Sequence, residues 1–333
     1  MTLHPAVAAV RLAVRRAVQD LAGEGPVVVA CSGGADSLAL LAAAVFECRK
    51  VGRRVLGVVV DHSLQDGSAA HTDRVVGQMA ALGADETVAV RVAVESAGLG
   101  VEAAAREARY AVLAEVAQRA SAAVVLLGHT RDDQAETVLL GLARGSGGRS
   151  IAGMRAAYDV FCRPLLDVTR AQTEEACAAE GIEPWQDPHN DDPRFTRSRV
   201  RRVVMPVLEA ELGPGVAATL ARTAEQLQED VAALDAIAAR AHAATAGPEG
   251  LAVSGLADLD TAVRRRVLRL AAVAAGCPPG ELFRVHVLAV DALVTEFRGQ
   301  RWVDLPGHVQ AFRDGGTLRF RTAPGAAGDA VGG

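Results

Sequence analysis

Residues 32–37 read Ser-Gly-Gly-Ala-Asp-Ser, which sets two glycines, two hydroxyls and a carboxylate within one hexapeptide. The segment follows the apolar run Pro26-Val-Val-Val-Ala-Cys31 and opens an apolar helical stretch at 38–46. A strand that turns directly into a helix gathers backbone N–H groups and the positive helix end around one anion, so this loop is suited to phosphate. Gly33 and Gly34 are expected at positive φ, where the backbone can close on a ligand, with Ala35 and the hydroxyls of Ser32 and Ser37 completing the cradle. Asp36 would repel a polyphosphate unless a divalent cation lay between them, which makes it the candidate Mg²⁺ ligand. An ordinary Asp/Ser cap on a glycine turn is the competing explanation.

A second group of candidates is His129, Asp132, Asp133 and Glu136. His129 and Asp133 are four apart, where an apolar run at 123–127 ends and a helical pattern begins, so both could converge on the loop at residue 32. The three carboxylates also complement the dipole of that helix, a purely structural role. The densest basic cluster is Arg194, Arg197, Arg199, Arg201 and Arg202, interleaved with Phe195. On a helix Arg194, Arg197 and Arg201 would share one face, and Arg264, Arg265, Arg266 and Arg269 make a similar patch farther on. Solvated helix faces are the alternative for both. His71, His189, His286 and His308 have no mutual metal-ligand spacing and read as structural or surface residues.

These groups need a frame. Residues 3–21 carry apolar positions at helical steps of three and four, and then the pattern changes to short apolar runs at 26–31, 54–60, 87–94 and 123–127. Each run is followed by a helical segment, at 38–46, 69–82, 101–120 and 134–143. Strands alternating with helices of this length predict βαβ units and an α/β, doubly wound parallel sheet, with functional groups at the carboxyl ends of the strands. Residues 158–162 read as one further strand, 170–180 as a helix, and 184–193 as a structured loop between prolines. The expected organisation is a catalytic domain over 1–205, a helical connector over 206–248 and a smaller mixed α+β domain over 249–322. Within the last, helices are expected at 258–275 and 281–297 and strands around 301–304 and 308–321. The Gly/Ala-rich tail 323–333 is expected to be disordered.

Composition narrows the function. The net charge is −5, so any contact with a polyanion must use local patches. Lys50 is the only lysine among 35 Lys and Arg residues, which removes a Walker-type lysine and leaves no other lysine to act as a nucleophile. The five cysteines never pair as Cys-x-x-Cys, against a disulfide frame or a cysteine-held metal, and buried free thiols are expected. No charge-free apolar run reaches the roughly 18 residues of a membrane span, and the N-terminal segment lacks a signal-peptide pattern, so a cytoplasmic protein with no membrane partner is expected. Aromatic residues are 3% of the chain, leaving Trp185 and Phe195 as the candidates for base stacking.

The hexapeptide after the first strand resembles the signature of the N-type ATP pyrophosphatases, the PP-loop family. Val58-Val-Val-Asp-His-Ser-Leu64 is similar to the Asp-His-x-Leu segment that closes the family's second strand. Leu127-Gly-His-Thr-Arg-Asp-Asp-Gln-Ala-Glu-Thr137 is similar to the fourth-strand motif of one branch, the tRNA(Ile)-lysidine synthetases. Arg163-Pro-Leu-Leu166, Trp185-Gln-Asp-Pro-His-Asn190 and Phe195-Thr-Arg-Ser-Arg-Val-Arg201 have counterparts there, so the resemblance covers about the first 205 residues. The chain departs from the pattern at Gln65, where Arg is frequent, and at Arg197-Ser198, where Arg-Asn is usual.

The resemblance implies ATP cleaved between its α- and β-phosphates, with Mg²⁺, and AMP passed to the wobble cytidine of a tRNA(Ile) with a CAU anticodon before free lysine displaces it. Asp133 would orient or deprotonate the lysine, with Asp132 and Glu136 adding negative charge. His129 would contact phosphate or the activated intermediate, and Arg109 would stabilise charge on the transferring phosphate, with Arg106 left as a surface residue. Asp61 and His62, ending a strand beside the loop, would contact adenosine, or serve only as a capping Asp and a packed His. Arg194, Arg197, Arg201 and Arg202 would hold tRNA phosphates, and the second domain would grip tRNA outside the anticodon. Another PP-loop enzyme such as a tRNA thiolase, and a protein that senses ATP without turnover, are the competing readings. The sequence is compatible with a homodimer.

Overall fold

Helix α1 (Pro5–Gln19) opens the fold and buries Val7, Val10, Val14 and Val18 along one face, the result of apolar residues at steps of three and four. In the computed structural model the described residues are 3–19, 21, 23–61, 68–92, 101–145, 148–185 and 192–323. His62, Gln65, His189 and the expected tail from residue 324 lie outside them. The chain divides into two compact units, Met1–Arg144 with Ile151–Glu225, and Gly145–Ser150 with Gln226–Gly333.

Strand β1 (Val27–Ala30) shows why its sequence is a continuous apolar run. Val27 and Val29 pack with Leu38 and Leu41 of helix α2 (Ala35–Lys50), whereas Val28 packs on the opposite face with Leu113 of helix α4 (Val101–Arg119). Alternate residues point to opposite faces, and here both faces are covered. The other elements of this half are β2 (Val55–Asp61), α3 (Ser68–Ala81), β3 (Glu86–Arg91), β4 (Val124–Leu127) and α5 (Arg131–Arg144). A short helix α6 (Gly148–Ile151) leads to β5 (Ala157–Tyr158) and β6 (Phe161–Cys162).

The sheet order is β3-β2-β1-β4-β6-β5, parallel throughout except for the edge pair β5 and β6. Val27 is in register with Val55 on one side and Val124 on the other. The chain therefore runs outward from β1 through β2 to β3 and returns to the other side of β1 for β4. This reversal opens a crevice at the carboxyl ends of β1 and β4. The expected single strand at 158–162 is instead a tight hairpin, with Asp159 at φ 49 in its turn. A two-residue reversal leaves too few residues for the period-two pattern to register.

After a 3₁₀ turn at Pro164–Asp167 come α7 (Arg170–Glu180), α8 (Thr196–Arg199), a π-helical turn at Val200–Val204, α9 (Met205–Leu212) and the long α10 (Val216–Thr245). The later part of the chain adds β7 (Ala246–Gly247), β8 (Gly250–Ala252), α11 (Val253–Ala257), α12 (Thr261–Ala274), α13 (Arg284–Thr295), β9 (Val303–Leu305), β10 (Val309–Asp314) and β11 (Thr317–Thr322). Its sheet has five strands in the order β7-β8-β11-β10-β9, where the sequence suggested two, because the run 308–321 folds back on itself at Gly315-Gly316 and the short strands β7 and β8 join the edge. Leu256, Val267, Leu268, Leu293 and Leu318 form its own core. No single helix among the described residues is long and apolar enough to cross a membrane.

One glycine controls the crevice. A Cβ at Gly128, just beyond β4, would come within 3.1 Å of the Asp36 carbonyl carbon and of Ser37 N and Cα, so β4 meets the start of α2 backbone to backbone. Gly128→Ala is expected to lower stability by about 1–3 kcal/mol through overpacking. Gly77→Ala, in helix α3 with nothing within 4 Å of the added carbon, is expected to raise it by about 0.5–1 kcal/mol. Urea midpoints of the two variants check both signs.

Candidate active site

The loop that leaves β1 is tied to itself before it meets a ligand. Ser37 Oγ accepts from the Ser32 backbone N–H at 3.1 Å and donates to the Gly34 carbonyl at 3.0 Å. Gly33 has φ +83, as expected, but Gly34 is extended, with φ −77 and ψ 162, as the N-cap of α2. The expectation of positive φ therefore holds at one glycine and not at the other. Ala35 lies in the first helical turn, its carbonyl accepting from Cys177 Sγ at 3.4 Å.

Asp36 sits in that same turn with 23% of its side chain exposed. Thr173 Oγ1 donates to its Oδ1, and Arg170 Nε lies 3.6 Å from its Oδ2. Burial pushes its carboxyl up to about 6, against the opposing pull of Arg170 and Thr173. A desolvated carboxyl in this turn is a chemically fitting ligand for a divalent cation. Among the described residues no cluster of three or more His, Cys, Asp and Glu side chains is arranged to hold a metal alone.

Across the crevice, Thr130 caps α5. Asp133 Oδ2 accepts from the Thr130 N–H at 2.9 Å and from its hydroxyl at 3.0 Å, a capping contact that differs from the helix-dipole role the sequence suggested for this carboxylate. Its Oδ1 faces three guanidinium groups, Arg170 at 2.9 Å, Arg201 at 3.2 Å and Arg197 at 3.5 Å. Burial alone would raise its pKa, and the charges of Arg170 and Arg197 with the Thr130 amide outweigh that and hold it below the usual carboxylate range. Glu136, one turn on and 1% exposed, accepts from Arg201 Nε at 2.6 Å, Arg197 Nε at 2.9 Å and Arg170 Nη1 at 3.5 Å. Asp132 accepts from the Arg170 backbone N–H at 2.9 Å. Burial works against the Arg170 charge, but Asp133, Asp36 and Glu136 outweigh it and raise its pKa.

Arg197 and Arg201, expected to face tRNA phosphates, thus direct their guanidinium groups onto Asp133 and Glu136. Arg194 and Arg202 are exposed, Arg194 with its guanidinium on Asp192 at 2.6 Å. Of the second expected patch, Arg264 is buried and donates to Asp291 at 2.7 Å, and Arg265 reaches the same carboxylate at 2.8 Å.

His129 is half-buried, and its Nδ1 is buried without a hydrogen-bond partner. Burial pushes the imidazole down to about 3, opposed by Asp133 and reinforced by Arg163 and Arg106, so the ring is neutral near pH 7. Arg109 is exposed on α4, and so is Arg106 of the same helix, as read from the sequence, with its charge still felt at His129. Asp61 is buried at the end of β2 and accepts from Arg91 of β3 at 3.3 Å. Arg170 and Thr173 had no role in the sequence reading. The signal available for them was Thr169-x-x-Gln172, a capping box that fixes where α7 begins and hence where both side chains project.

A glycine-turned loop at the switch point of a parallel sheet, opposite a capped acidic helix, defines an ATP-binding PP-loop domain. A PP-loop domain profile matches residues 9–208, and a TilS substrate binding domain profile matches 251–319. The chain is 54% identical to a tRNA(Ile)-lysidine synthase of Thermobifida fusca (strain YX), over 94% of this chain and 97% of that one. It is 52% identical to one of Salinispora arenicola (strain CNS-205), over 95% and 96%. The chain belongs to the tRNA(Ile)-lysidine synthase family. Among solved structures, the U34-tRNA thiolase NcsA from Methanococcus maripaludis with its [4Fe-4S] cluster aligns with a TM-score of 0.54 over 67% of this chain and 80% of that one; at 16% identity the two share a fold.

The raised Asp36 carboxyl has a consequence for stability. A folded pKa of about 6 against an ordinary 3.8 means the folded state binds more protons between those values, so stability falls as pH rises through that window. The cost is complete above about pH 6 and gone below about pH 4. Asp36→Asn is therefore expected to melt above the wild type at pH 8 without ATP or Mg²⁺, and the gap to shrink as pH approaches 4. Melting curves at both ends of the range decide it; a variant that melts lower at pH 8 refutes the buried-charge explanation.

Proposed function

We propose that this enzyme forms lysidine at the wobble cytidine of a tRNA(Ile) with a CAU anticodon, in two steps at the crevice between β1 and β4. In the first, the C2 carbonyl oxygen of the cytidine attacks the α-phosphorus of ATP, and pyrophosphate leaves from the loop at 32–37. In the second, the ε-ammonium of free lysine gives a proton to the Asp133 carboxylate, the neutral amine attacks C2, and the bond from C2 to the AMP oxygen breaks as AMP leaves.

The observation that carries this reading is the glycine loop at 32–37 beside a carboxylate pair, joined by Arg170, which reaches both Asp36 and Asp133. Asp36 would hold Mg²⁺, which neutralises phosphate charge as it is transferred. Asp133, kept ionised by its arginines, would orient the ammonium with help from Asp132 and Glu136. His129, neutral and with a bare buried nitrogen, would hydrogen-bond the reacting nucleotide without adding charge.

The remaining assignments follow the family pattern. Arg109 would stabilise charge on the α-phosphate, and Asp61 and His62 would contact adenosine. Arg194 and Arg202 would meet tRNA phosphates on the solvent side, with Arg197 and Arg201 behind them. Residues 1–205 would carry catalysis, 206–248 the connection and 249–322 a grip on tRNA. The thiolase reading is disfavoured by the thiols of Cys31 and Cys177, which burial pushes up to about 12, so neither offers a thiolate near neutral pH.

The protein is to be incubated with ATP, Mg²⁺, labelled lysine and a CAU-anticodon isoleucine tRNA transcript. Label on the tRNA with stoichiometric pyrophosphate is expected, and Asp133→Asn is expected to lower kcat/KM for lysine by roughly 100-fold. Pyrophosphate without lysine transfer would sink the lysidine reading, and no ATP turnover at all would favour the sensor.

A further inference from the structure

We propose that His71 and Trp185 are positioning residues of the phosphate loop, holding the Ser32 and Gly33 carbonyls from outside so that the Gly33 and Gly34 N–H groups face the ATP phosphates. His71 Nε2 lies 3.1 Å from the Ser32 carbonyl oxygen, and the Trp185 backbone N–H donates to the Gly33 carbonyl at 2.8 Å. A carbonyl oxygen only accepts, so His71 Nε2 carries a proton and donates it.

The direction of the loop donors follows from peptide geometry. In a trans peptide the C=O and the following N–H point to opposite sides, and no peptide among the described residues is cis. Fixing the Ser32 carbonyl therefore turns the Gly33 N–H away from His71, and fixing the Gly33 carbonyl turns the Gly34 N–H away from Trp185. A Cβ at Gly33 would come within 2.8 Å of Val75 Cγ2 and 3.0 Å of His71 Cε1, so α3 packs directly on the loop backbone. The two clamps also brace each other. The His71 and Trp185 ring centroids are 3.9 Å apart, and Gln78, two turns along α3 from His71, donates to the Glu183 carbonyl at 2.7 Å. Donors held in place before the ligand arrives need no reorganisation when charge develops against them.

The inference rests on the reading that this loop takes the phosphates of ATP, and the test separates the two. His71→Gln keeps a donor nitrogen near the Nε2 position and loses the ring; His71→Leu keeps apolar bulk and loses the donor. Pyrophosphate release, with ATP or lysine varied in turn and the other substrates saturating, is the readout. His71→Leu is expected to raise KM for ATP about tenfold, the equivalent of one lost hydrogen bond, with KM for lysine unchanged. His71→Gln is expected to stay within about threefold of wild type. If His71→Leu does not fold, His71→Asn, polar but too short to reach Ser32, takes its place with the same expected outcome. An unchanged KM for ATP in the donor-less variant overturns the proposal, as does equal impairment in His71→Gln, which would point to ring packing alone. A wild-type protein that releases no pyrophosphate overturns the ATP reading instead.

Discussion

Glu136 is the constraint around which the crevice is organised. A carboxylate with 1% of its surface exposed is tolerable only with partners, because desolvating an unpaired charge costs several kcal/mol. Arg197 and Arg201 reach it from the α8 and π-turn segment and Arg170 from the start of α7, so three elements distant in sequence meet at one side chain of α5. Guanidinium forks suit this task because each can bridge two acceptors: Arg201 divides its donors between Glu136 and Asp133, as does Arg197. Breaking such a cluster on one side leaves a charge without compensation, roughly 3–5 kcal/mol, which makes it a fixed point of the fold as well as a reservoir of charge for the site.

From that fixed point the chemistry extends in one direction. Arg170 carries the cluster toward Asp36, and Asp36 belongs to the turn that starts α2. The loop at 32–37 and the carboxylate pair are therefore linked through one side chain, with Gly128 allowing the β4 end to lie against the α2 backbone. His129 falls beside this contact, where burial strips it of charge. The crevice thus offers backbone dipoles for an anion on one wall and carboxylates for a cation on the other, with a neutral imidazole alongside Asp133.

The parallel core was legible because its signals are local. β1, β2 and β4 are apolar runs and α2 begins at a glycine loop, so the hexapeptide and the His129–Glu136 segment could be placed at strand ends from the sequence alone. What escaped has a common cause. The β5–β6 hairpin has too few residues for a period, and so do β7 and β8 of the five-stranded sheet. Arg170 and Thr173 act across 137 residues or fewer of sequence separation through contacts with no local pattern, as in the bond from Thr173 to Asp36. His71 was set aside because it was judged as a metal ligand, and its contact is with a carbonyl 39 residues earlier.

The arginines illustrate the limit most clearly. Counted along the chain, Arg194 to Arg202 form a basic cluster, yet a cluster in sequence becomes a basic surface only where the fold leaves the charges unopposed. Here Arg197 and Arg201 are committed to Glu136, Arg264 and Arg265 share Asp291, and Arg194 lies on Asp192. A polyanion approaching Arg194 must displace a carboxylate already bonded to it, so the gain is the difference between two partners and not the full attraction of a free cation. For a chain of net charge −5 this implies that nucleic-acid affinity comes from fewer phosphate contacts than the arginine count suggests, with a correspondingly shallower dependence on salt.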